Sequence, residues 1–166
     1  MKVLFSYGKK VEPALDRLNA FKEVASEFGI ETVYVEYDFE QAPDDRAAKL
    51  LSAVKAERHP EELVLVGSSM GAYGSLLASM SVPVKALFLI SPALFMYNVK
   101  EYSLKGAEKV EFVIGWKDAV IPLDKVLDYV RAENAEAHLV DNDHLMFDSL
   151  PTLKILYREF LRQLLG

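Results

Sequence analysis

Strand-like and helix-like segments alternate from one end of the chain to the other, and this alternation limits the folds available to it. A sequence of this kind builds βαβ units, in which parallel strands form a central sheet and helices cover both faces. We therefore predict a three-layer α/β/α sandwich around a mostly parallel sheet of about six strands. The predicted strands are Val3–Ser6, Thr32–Tyr37, Leu63–Gly67, Ala86–Ile90, Glu111–Ile114 and Ala137–Val140. The predicted helices are Pro13–Phe28, Asp44–Glu57, Met70–Met80, Pro122–Arg131 and Ser149–Leu165.

The length and composition of the chain favour a single domain. Its 166 residues, 51% of them hydrophobic, can bury a sizeable core, and no linker divides residues 1–166. A net charge of −6 argues against a nucleic-acid partner. The chain has no cysteine, which excludes disulfides, thiolate-bound zinc and a thiolate nucleophile.

No segment of the sequence resembles a membrane span or a signal peptide. No apolar run approaches the ~18 residues of a transmembrane helix, and the apolar run near Met1 is too short for a secretory signal. We therefore expect a cytoplasmic protein with a small-molecule substrate. Nothing in the sequence indicates a metal or a cofactor.

The run Gly67-Ser68-Ser69-Met70-Gly71 has the pattern G-x-S-x-G and lies between a predicted buried strand and a predicted helix. A serine in this position lies on a sharp turn, and the flanking glycines permit a strained backbone and close strand-to-helix packing. The turn exposes the hydroxyl above the sheet, where a backbone N–H and the helix dipole face a developing anion. We interpret Ser69 as an activated nucleophile.

A serine nucleophile needs a general base, and His144 is the candidate among the three histidines. It lies in a short polar loop, residues 141–144, that follows the last predicted strand, so its imidazole can reach over the sheet. We interpret His59, at a helix exit, as a surface residue. His138 lies inside the last strand and is interpreted as a residue of the sheet.

Asp118 is the candidate for the acid that orients this histidine, because it follows the predicted strand Glu111–Ile114. An aspartate in this position can also act merely as a helix cap. Three other aspartates are rival candidates for this acid, but they lie close to the histidine in sequence and we expect them to cap the last helix instead: Asp141, Asp143 and Asp148. The candidate residues therefore occur in the chain order serine, aspartate, histidine.

This order, with each residue placed after a strand, resembles that of the α/β-hydrolase superfamily. Residues 67–71 are similar to the nucleophile motif of the superfamily, and Asp118 with residues 120–122 (Val-Ile-Pro) is similar to its acid loop. His144, preceded by aspartate and followed by Phe147, resembles its histidine loop. The resemblance covers nearly the whole chain and implies a small, esterase-like serine hydrolase. It implies a minimal fold, because the usual antiparallel strand pair and the helical cap are missing.

The resemblance also implies where an oxyanion would be bound. Two donors are needed, and the backbone N–H of Met70, directly after the nucleophile, is the expected first donor. In the superfamily the second comes from the loop after the first parallel strand, and this corresponds here to the N–H of Lys9. Tyr7 stands where members of the superfamily usually have histidine, and Gly8 is kept. The side chains of Lys9 and Lys10 are either solvated or attract an anionic substrate.

The segment from Ser91 to Gly106 is the one place where the sequence has room for a small flap. Its apolar side chains either line an acyl pocket or cover the sheet as part of the core. The candidates for substrate contact are Tyr7, Gly8, Ser68, Tyr97 and Trp116.

Taken together, these features favour a lidless serine hydrolase that cleaves a carboxylic ester or thioester of a small acyl group. Such chemistry does not by itself choose between ester, thioester and amide substrates. The alternative is a binding protein of the same fold whose site no longer catalyses. The tyrosine at position 7 motivates that alternative.

Overall fold

The computed structural model describes residues 1–8, 12–38 and 40–166, with the side chains of the first helix from residue 16 onward. Six strands form one sheet in which every pairing is parallel. The strands are β1 (Lys2–Ser6), β2 (Glu31–Tyr34), β3 (Leu63–Ser68), β4 (Val84–Ile90), β5 (Ala107–Gly115) and β6 (Glu136–Val140). The α-helices of the described ranges are α1 (Glu12–Glu27), α2 (Pro43–Ala56), α3 (Met70–Ser81), α4 (Leu123–Ala132) and α5 (Leu150–Leu165). Short 3-10 turns, Pro60–Glu62 and Phe147–Ser149, precede β3 and α5.

The strand order across the sheet is β2-β1-β3-β4-β5-β6. The chain therefore moves outward in one direction from β1 to β2 and in the other direction from β3 onward. Such a switch point opens a crevice at the carboxyl ends of its two strands. Ser6 of β1 pairs with Gly67 of β3, and the residues just beyond these ends, Gly8 and Ser69, meet in the crevice.

Helices cover both faces of the sheet, α1 and α5 on one face and α2, α3 and α4 on the other. Side chains alternate along β3, so Val64 and Val66 face α1 and α5 while Leu65 faces α3. Phe21 of α1 stacks on Tyr157 of α5 with 4.5 Å between ring centroids, which packs these helices together. No helix in the described part of the chain combines the length and the hydropathy needed to cross a bilayer.

The predicted fold class is confirmed, and only β2 and β5 have an end that differs from the predicted one by more than two residues. β2 ends at Tyr34, because Tyr37 leaves the ladder and its hydroxyl hydrogen-bonds with Ser6 Oγ at 2.7 Å. β5 begins at Ala107, earlier than predicted. The prediction missed its first residues because they are only partly buried. Polar and charged residues there lack the apolar pattern by which a buried strand is recognised.

Candidate active site

Ser69 lies on the turn between β3 and α3, and its backbone has φ 55° and ψ −118°. This conformation is unfavourable for a residue other than glycine and persists only where the surrounding packing enforces it. The glycines on either side of the turn, Gly67 and Gly71, are both needed for that packing. A Cβ at Gly67 would lie 2.5 Å from Ala72 Cα, and a Cβ at Gly71 would lie 2.1 Å from Ser6 O. The predicted sharp turn is therefore present.

Ser69, His144 and Asp118 form a continuous chain of hydrogen bonds. The Nε2 atom of His144 lies 3.0 Å from Ser69 Oγ, and its Nδ1 atom lies 2.8 Å from Asp118 Oδ2. The side chain of Asp118 is completely buried and that of His144 is 14% exposed, so water has little access to these bonds. The structure thus brings together the three residues that the sequence pattern indicated.

The environment of Asp118 favours its ionised form. Burial alone would raise its pKa, but hydrogen bonds from His144 and from the N–H groups of Val120 and Ile121 outweigh burial and lower the pKa below its usual value. In the tautomer whose Nδ1–H donates to this carboxylate, the Nε2 lone pair of His144 faces Ser69. In this geometry the imidazole can accept the hydroxyl proton.

The loops after β5 and β6 are joined, and this fixes Asp118 relative to His144. The N–H of Lys117 donates to the carbonyl oxygen of Asn142 at 3.0 Å. Gly115 permits the contact, since a Cβ there would lie 2.6 Å from the same oxygen. Because each loop holds the other in place, the imidazole is positioned more accurately than it would be on a free loop.

The other aspartates near His144 have different partners. Asp143 Oδ1 accepts the N–H groups of Leu145 and Met146 at 2.9 and 3.2 Å, which braces the histidine loop. Asp141 forms an exposed salt bridge with a lysine. The prediction that such aspartates cap α5 is wrong, because the N-cap position is Ser149, which makes no capping bond with its side chain.

Two backbone segments converge on Ser69 where an oxyanion would form. Met70 is the first residue of α3, so its N–H has no acceptor within the helix. From the loop after β1, Gly8 approaches so closely that a Cβ there would lie 3.0 Å from Ser69 Cβ. The predicted second donor, Lys9, lies outside the described residues, as does Lys10.

Arg46 of α2 holds the loop after β1 from the side of the core. Its Nη1 atom donates to the carbonyl oxygens of Tyr7 and Gly8, and its guanidinium lies 4.8 Å from the centroid of the Tyr37 ring. These bonds fix the orientation of the peptide planes beside Ser69, which matters for any donor on this loop.

A cavity of about 400 Å³ opens beside Ser69. Three of the predicted substrate-contact residues line it: Gly8, Ser68 and Tyr97. The further lining residues in the described ranges are Arg17, Met70, Met96, Val120, His144 and Leu145. Most of these side chains are apolar, so the cavity suits an apolar group with a few directed polar contacts.

Tyr7 and Trp116 are not brought to this cavity, which corrects the predicted set of substrate contacts. The Tyr7 side chain is buried and packs edge-on against Tyr37 with 5.7 Å between ring centroids. Trp116 is 56% exposed and lies in a separate depression with Leu127 and Leu139. Its nearness to Asp118 in sequence is misleading, because the loop turns between the two residues.

The segment between β4 and β5 contributes both to the core and to the wall of the cavity. Residues 91–106 form neither helix nor strand. Leu94 and Tyr102 are buried in the core that α3 and α4 cover, whereas Met96 and Tyr97 line the cavity. Its apolar side chains are therefore divided between the core and the cavity.

The remaining histidines lie away from the cavity, as predicted. His59 forms an exposed pair with Glu61, and His138 of β6 lies 3.0 Å from the buried Glu111. Glu111, Glu136 and His138 form a group whose potential metal-ligand atoms all lie within 4.8 Å of one another. The ammonium of Lys109 lies 2.8 Å from Glu111 and 3.2 Å from Glu136, so both carboxylates already take part in a salt-bridge network.

Two buried arginines beside the cavity were not singled out from the sequence. Arg17 of α1 is 5% exposed and Arg46 of α2 is 3% exposed. A signal was available, because each arginine takes a position in the apolar stripe of its helix, Arg17 with Phe21 and Arg46 with Leu50. A charged side chain on the core-facing stripe of a helix indicates a specific partner.

No protein-family model matches the chain, and no curated protein matches its sequence. Solved structures do match it. A proposed hydrolase of the α/β superfamily from Xanthomonas campestris pv. campestris is 24% identical, with a TM-score of 0.86 over 98% of this chain and 99% of that chain. An α/β serine hydrolase without a lid from Xanthomonas campestris is 18% identical, with a TM-score of 0.73 over 97% of this chain and 81% of that one.

A mammalian structure is also similar. Alpha/beta hydrolase domain-containing protein 10 from mouse is 15% identical, with a TM-score of 0.76 over 98% of this chain and 90% of that chain. The similar structures thus extend over nearly the whole of this chain. The chain has the α/β-hydrolase fold, in a minimal form built on a single parallel sheet of six strands.

Proposed function

We propose that this protein is a serine hydrolase that cleaves a carboxylic ester or a thioester of a small acyl group through an acyl-enzyme. One observation carries the proposal: the strained Ser69 is hydrogen-bonded to His144, and His144 is hydrogen-bonded to the buried Asp118. A carboxylate, an imidazole and a hydroxyl in this order are the parts that nucleophilic acyl transfer requires.

In the acylation step, Ser69 Oγ attacks the carbonyl carbon of the substrate while Nε2 of His144 takes the hydroxyl proton. The carbon–leaving-group bond then breaks, and the imidazolium returns the proton to the departing alcohol or thiol. Asp118 holds the Nδ1–H tautomer and stabilises the positive charge of the imidazolium. Because the pKa of Asp118 is low, the carboxylate stays ionised throughout the neutral range.

In the deacylation step, water takes the place of the alcohol. His144 removes a proton from water, the resulting oxygen attacks the acyl carbon, and the proton returns to Ser69 Oγ as the acid leaves. We expect the N–H of Met70 at the start of α3 to hold the oxyanion of both steps. The resemblance to the superfamily implies a second donor from the loop after β1, at Lys9, which lies outside the described residues. Removing one such donor from a serine protease costs about 10²–10³ in kcat.

The dimensions of the cavity favour a small substrate. About 400 Å³ is near the lower end of the range for ligand sites. Met96, Val120 and Leu145 line the cavity and remain partly exposed, so an acyl group would enter from solvent without the opening of a cap. We therefore expect activity on short acyl esters and thioesters rather than on long-chain lipids.

The direct test is labelling of the purified protein with a fluorophosphonate probe. The wild type and a Ser52→Ala control, which removes an exposed serine of α2 that does not line the cavity, should both be labelled. Ser69→Ala should not be labelled, and peptide mass spectrometry of the wild type should place the adduct on Ser69. Circular dichroism of each variant verifies that the fold is kept.

A folded wild type that fails to react would overturn the proposal and favour the alternative, a binding protein with the same fold. Labelling that persists in Ser69→Ala would contradict the assignment of the nucleophile. With labelling established, the 4-nitrophenyl esters and the thioesters of acetate, butyrate and octanoate would define the acyl length and the bond that is preferred.

A further inference from the structure

Arg17 introduces a buried positive charge beside Ser69. It lies on α1, is 5% exposed and lines the cavity together with Ser68 and Leu145. Its Nη2 atom donates to Ser68 Oγ at 2.5 Å, and its Nη1 atom donates to the carbonyl oxygen of Leu145 at 3.0 Å. Ser68 precedes the candidate nucleophile and Leu145 follows the candidate base. The guanidinium is therefore fixed at the site rather than mobile in solvent.

Among the side chains that the structure describes, none compensates the charge of Arg17. Both acceptors are neutral, and no carboxylate whose side chain the structure describes forms a salt bridge with it. A guanidinium has five N–H donors, and the buried Nε of Arg17 has no partner among the described residues. The exposed Arg158, by contrast, pairs with both oxygens of Glu27. Burial lowers the pKa of Arg17 to about 10, so the side chain is still charged at neutral pH.

A buried charge without a counter-ion is costly unless a ligand supplies the opposite charge. We propose that the substrate of this site carries a carboxylate in addition to the scissile bond, and that Arg17 binds that carboxylate. This inference rests on the proposed hydrolase function and deepens it by naming the substrate class, anionic esters or thioesters. A planar guanidinium with unused donors matches a carboxylate in shape and charge.

The position of Arg17 indicates how such a substrate would lie. Ser68 Oγ faces the α1 side of the sheet, as the alternation along β3 requires, and Arg17 reaches it from there. Tyr97 lines the cavity from the opposite side, where it packs against Tyr73 of α3. The carboxylate would therefore lie towards α1 and the apolar part towards Tyr97, with the scissile carbonyl at Ser69 between them.

Among the described residues that line the cavity there is a single positive charge, and a single charge suits a carboxylate better than a phosphate group. Arg17 is the only lysine or arginine among the described residues that line the cavity. A phosphate monoester carries close to two negative charges at neutral pH, and one guanidinium would leave one of them unmatched. The carboxylate can belong to the acyl group or to the leaving group, and the substrates of the test distinguish these two sources.

The test compares esters that differ only in the charge of one group. The pair 4-acetoxybenzoate and 4-acetoxybenzamide carries the difference on the leaving group. The pair monophenyl adipate and its monoamide carries it on the acyl group. We expect the wild type to hydrolyse the carboxylate member of one pair about 10- to 100-fold better in kcat/KM, the range of a hydrogen-bonded charge. A ratio near one in both pairs would overturn the inference.

Substitution of Arg17 separates binding of the carboxylate from a structural role. Arg17→Met should reduce the carboxylate-to-amide ratio to about one and mainly raise KM for the anionic ester. Arg17→Lys should keep part of the ratio. The matched control is Lys22→Met, which removes an exposed positive charge from the same helix and should leave the ratio unchanged.

Equal losses on both members of a pair in Arg17→Met would show that Arg17 only supports the loops, against the inference. If Arg17→Met does not fold, the neutral variant Arg17→Gln replaces it, and an unchanged ratio in Arg17→Gln has the same meaning.

Binding to the Ser69→Ala protein distinguishes failure of this inference from failure of the proposed function. Isothermal titration should show tighter binding of 4-acetoxybenzoate, or of monophenyl adipate, than of the corresponding amide, and Arg17→Met should remove the difference. Selective binding without turnover by the wild type would reject the hydrolase function and keep the carboxylate site. Turnover of esters with no preference in kinetics or binding would keep the function and reject the site.

Discussion

The Nε2 atom of His144 lies 3.0 Å from Ser69 Oγ although 75 residues separate the two in the chain. The parallel sheet makes this contact possible, because it brings the carboxyl ends of β3 and β6 to the same edge. The loop that carries His144 is joined to the loop that carries Asp118 through the bond between Lys117 and Asn142. A hydroxyl, an imidazole and a carboxylate from three separate strand ends thereby meet.

Asp118→Asn should lower kcat by up to about 10⁴-fold with little change in KM, because an amide in this position no longer selects the Nδ1–H tautomer of His144. Steady-state kinetics on a short 4-nitrophenyl ester measures the effect. Asp141→Asn, which alters an exposed salt bridge, is the matched control and should keep wild-type kinetics. Near-normal kcat in Asp118→Asn would move the acid role to Asp143, and Asp143→Asn would then show the large loss.

The low pKa of Asp118 predicts how stability changes with pH. A carboxyl group whose pKa is lower in the folded state than its ordinary 3.8 stabilises the fold at higher pH, and that contribution is lost as the pH falls through the folded value. The free energy of unfolding of the wild type, measured with urea from pH 7 to pH 3, should therefore fall relative to that of Asp118→Asn below about pH 4. Parallel curves down to pH 3 would contradict the lowered pKa.

Gly71→Ala should destabilise the protein by about 3 kcal/mol or more or prevent folding, because its Cβ would lie 2.1 Å from the backbone oxygen of Ser6. Neither backbone can move without separating α3 from β1. Gly74→Ala in the same helix is the matched control, since its Cβ would meet Ala47 Cα at an ordinary 3.4 Å. That variant should change the free energy of unfolding by no more than about 1 kcal/mol. Equal stability of the two variants in urea titrations would contradict the packing described for the turn.

Gly8→Ala should reduce catalysis while leaving the fold largely intact. The added Cβ would lie 3.0 Å from Ser69 Cβ and 3.4 Å from its Oγ, so the nucleophile must shift. A displacement of this order can cost about 100-fold in rate. We expect lower kcat and weaker fluorophosphonate labelling at an almost unchanged melting temperature. If the variant instead lost stability and kept its kcat, Gly8 would be a structural glycine only.

The sequence was sufficient for the architecture and for the three residues at the strand ends. Buried parallel strands appear as short apolar runs, and helices appear through the spacing of their apolar residues, so both can be read segment by segment. Once the strands are parallel, the residues that follow them must lie at one edge of the sheet. Ser69, Asp118 and His144 were therefore predictable without knowledge of any long-range contact.

The side chains around these residues were less predictable. Trp116 was expected to contact substrate because it lies near Asp118 in sequence, but the loop directs it to a separate depression. Tyr7 was expected in the site and packs against Tyr37 instead. The direction of a side chain in a loop depends on the backbone angles of a few residues, and no periodic pattern reports those angles.

The sequence by itself thus determined which elements form, their parallel order and the chemistry placed at their ends, because steric preferences and apolar periodicity act within each segment. Only the tertiary structure decided which buried groups meet across segments. Arg17 and Arg46 both interrupt an apolar stripe in the sequence, yet Arg46 donates to the carbonyls of the loop after β1 while Arg17 faces the cavity. The electrostatic role of a buried charge depends on the atoms that surround it, and those atoms come from elements far apart in the chain.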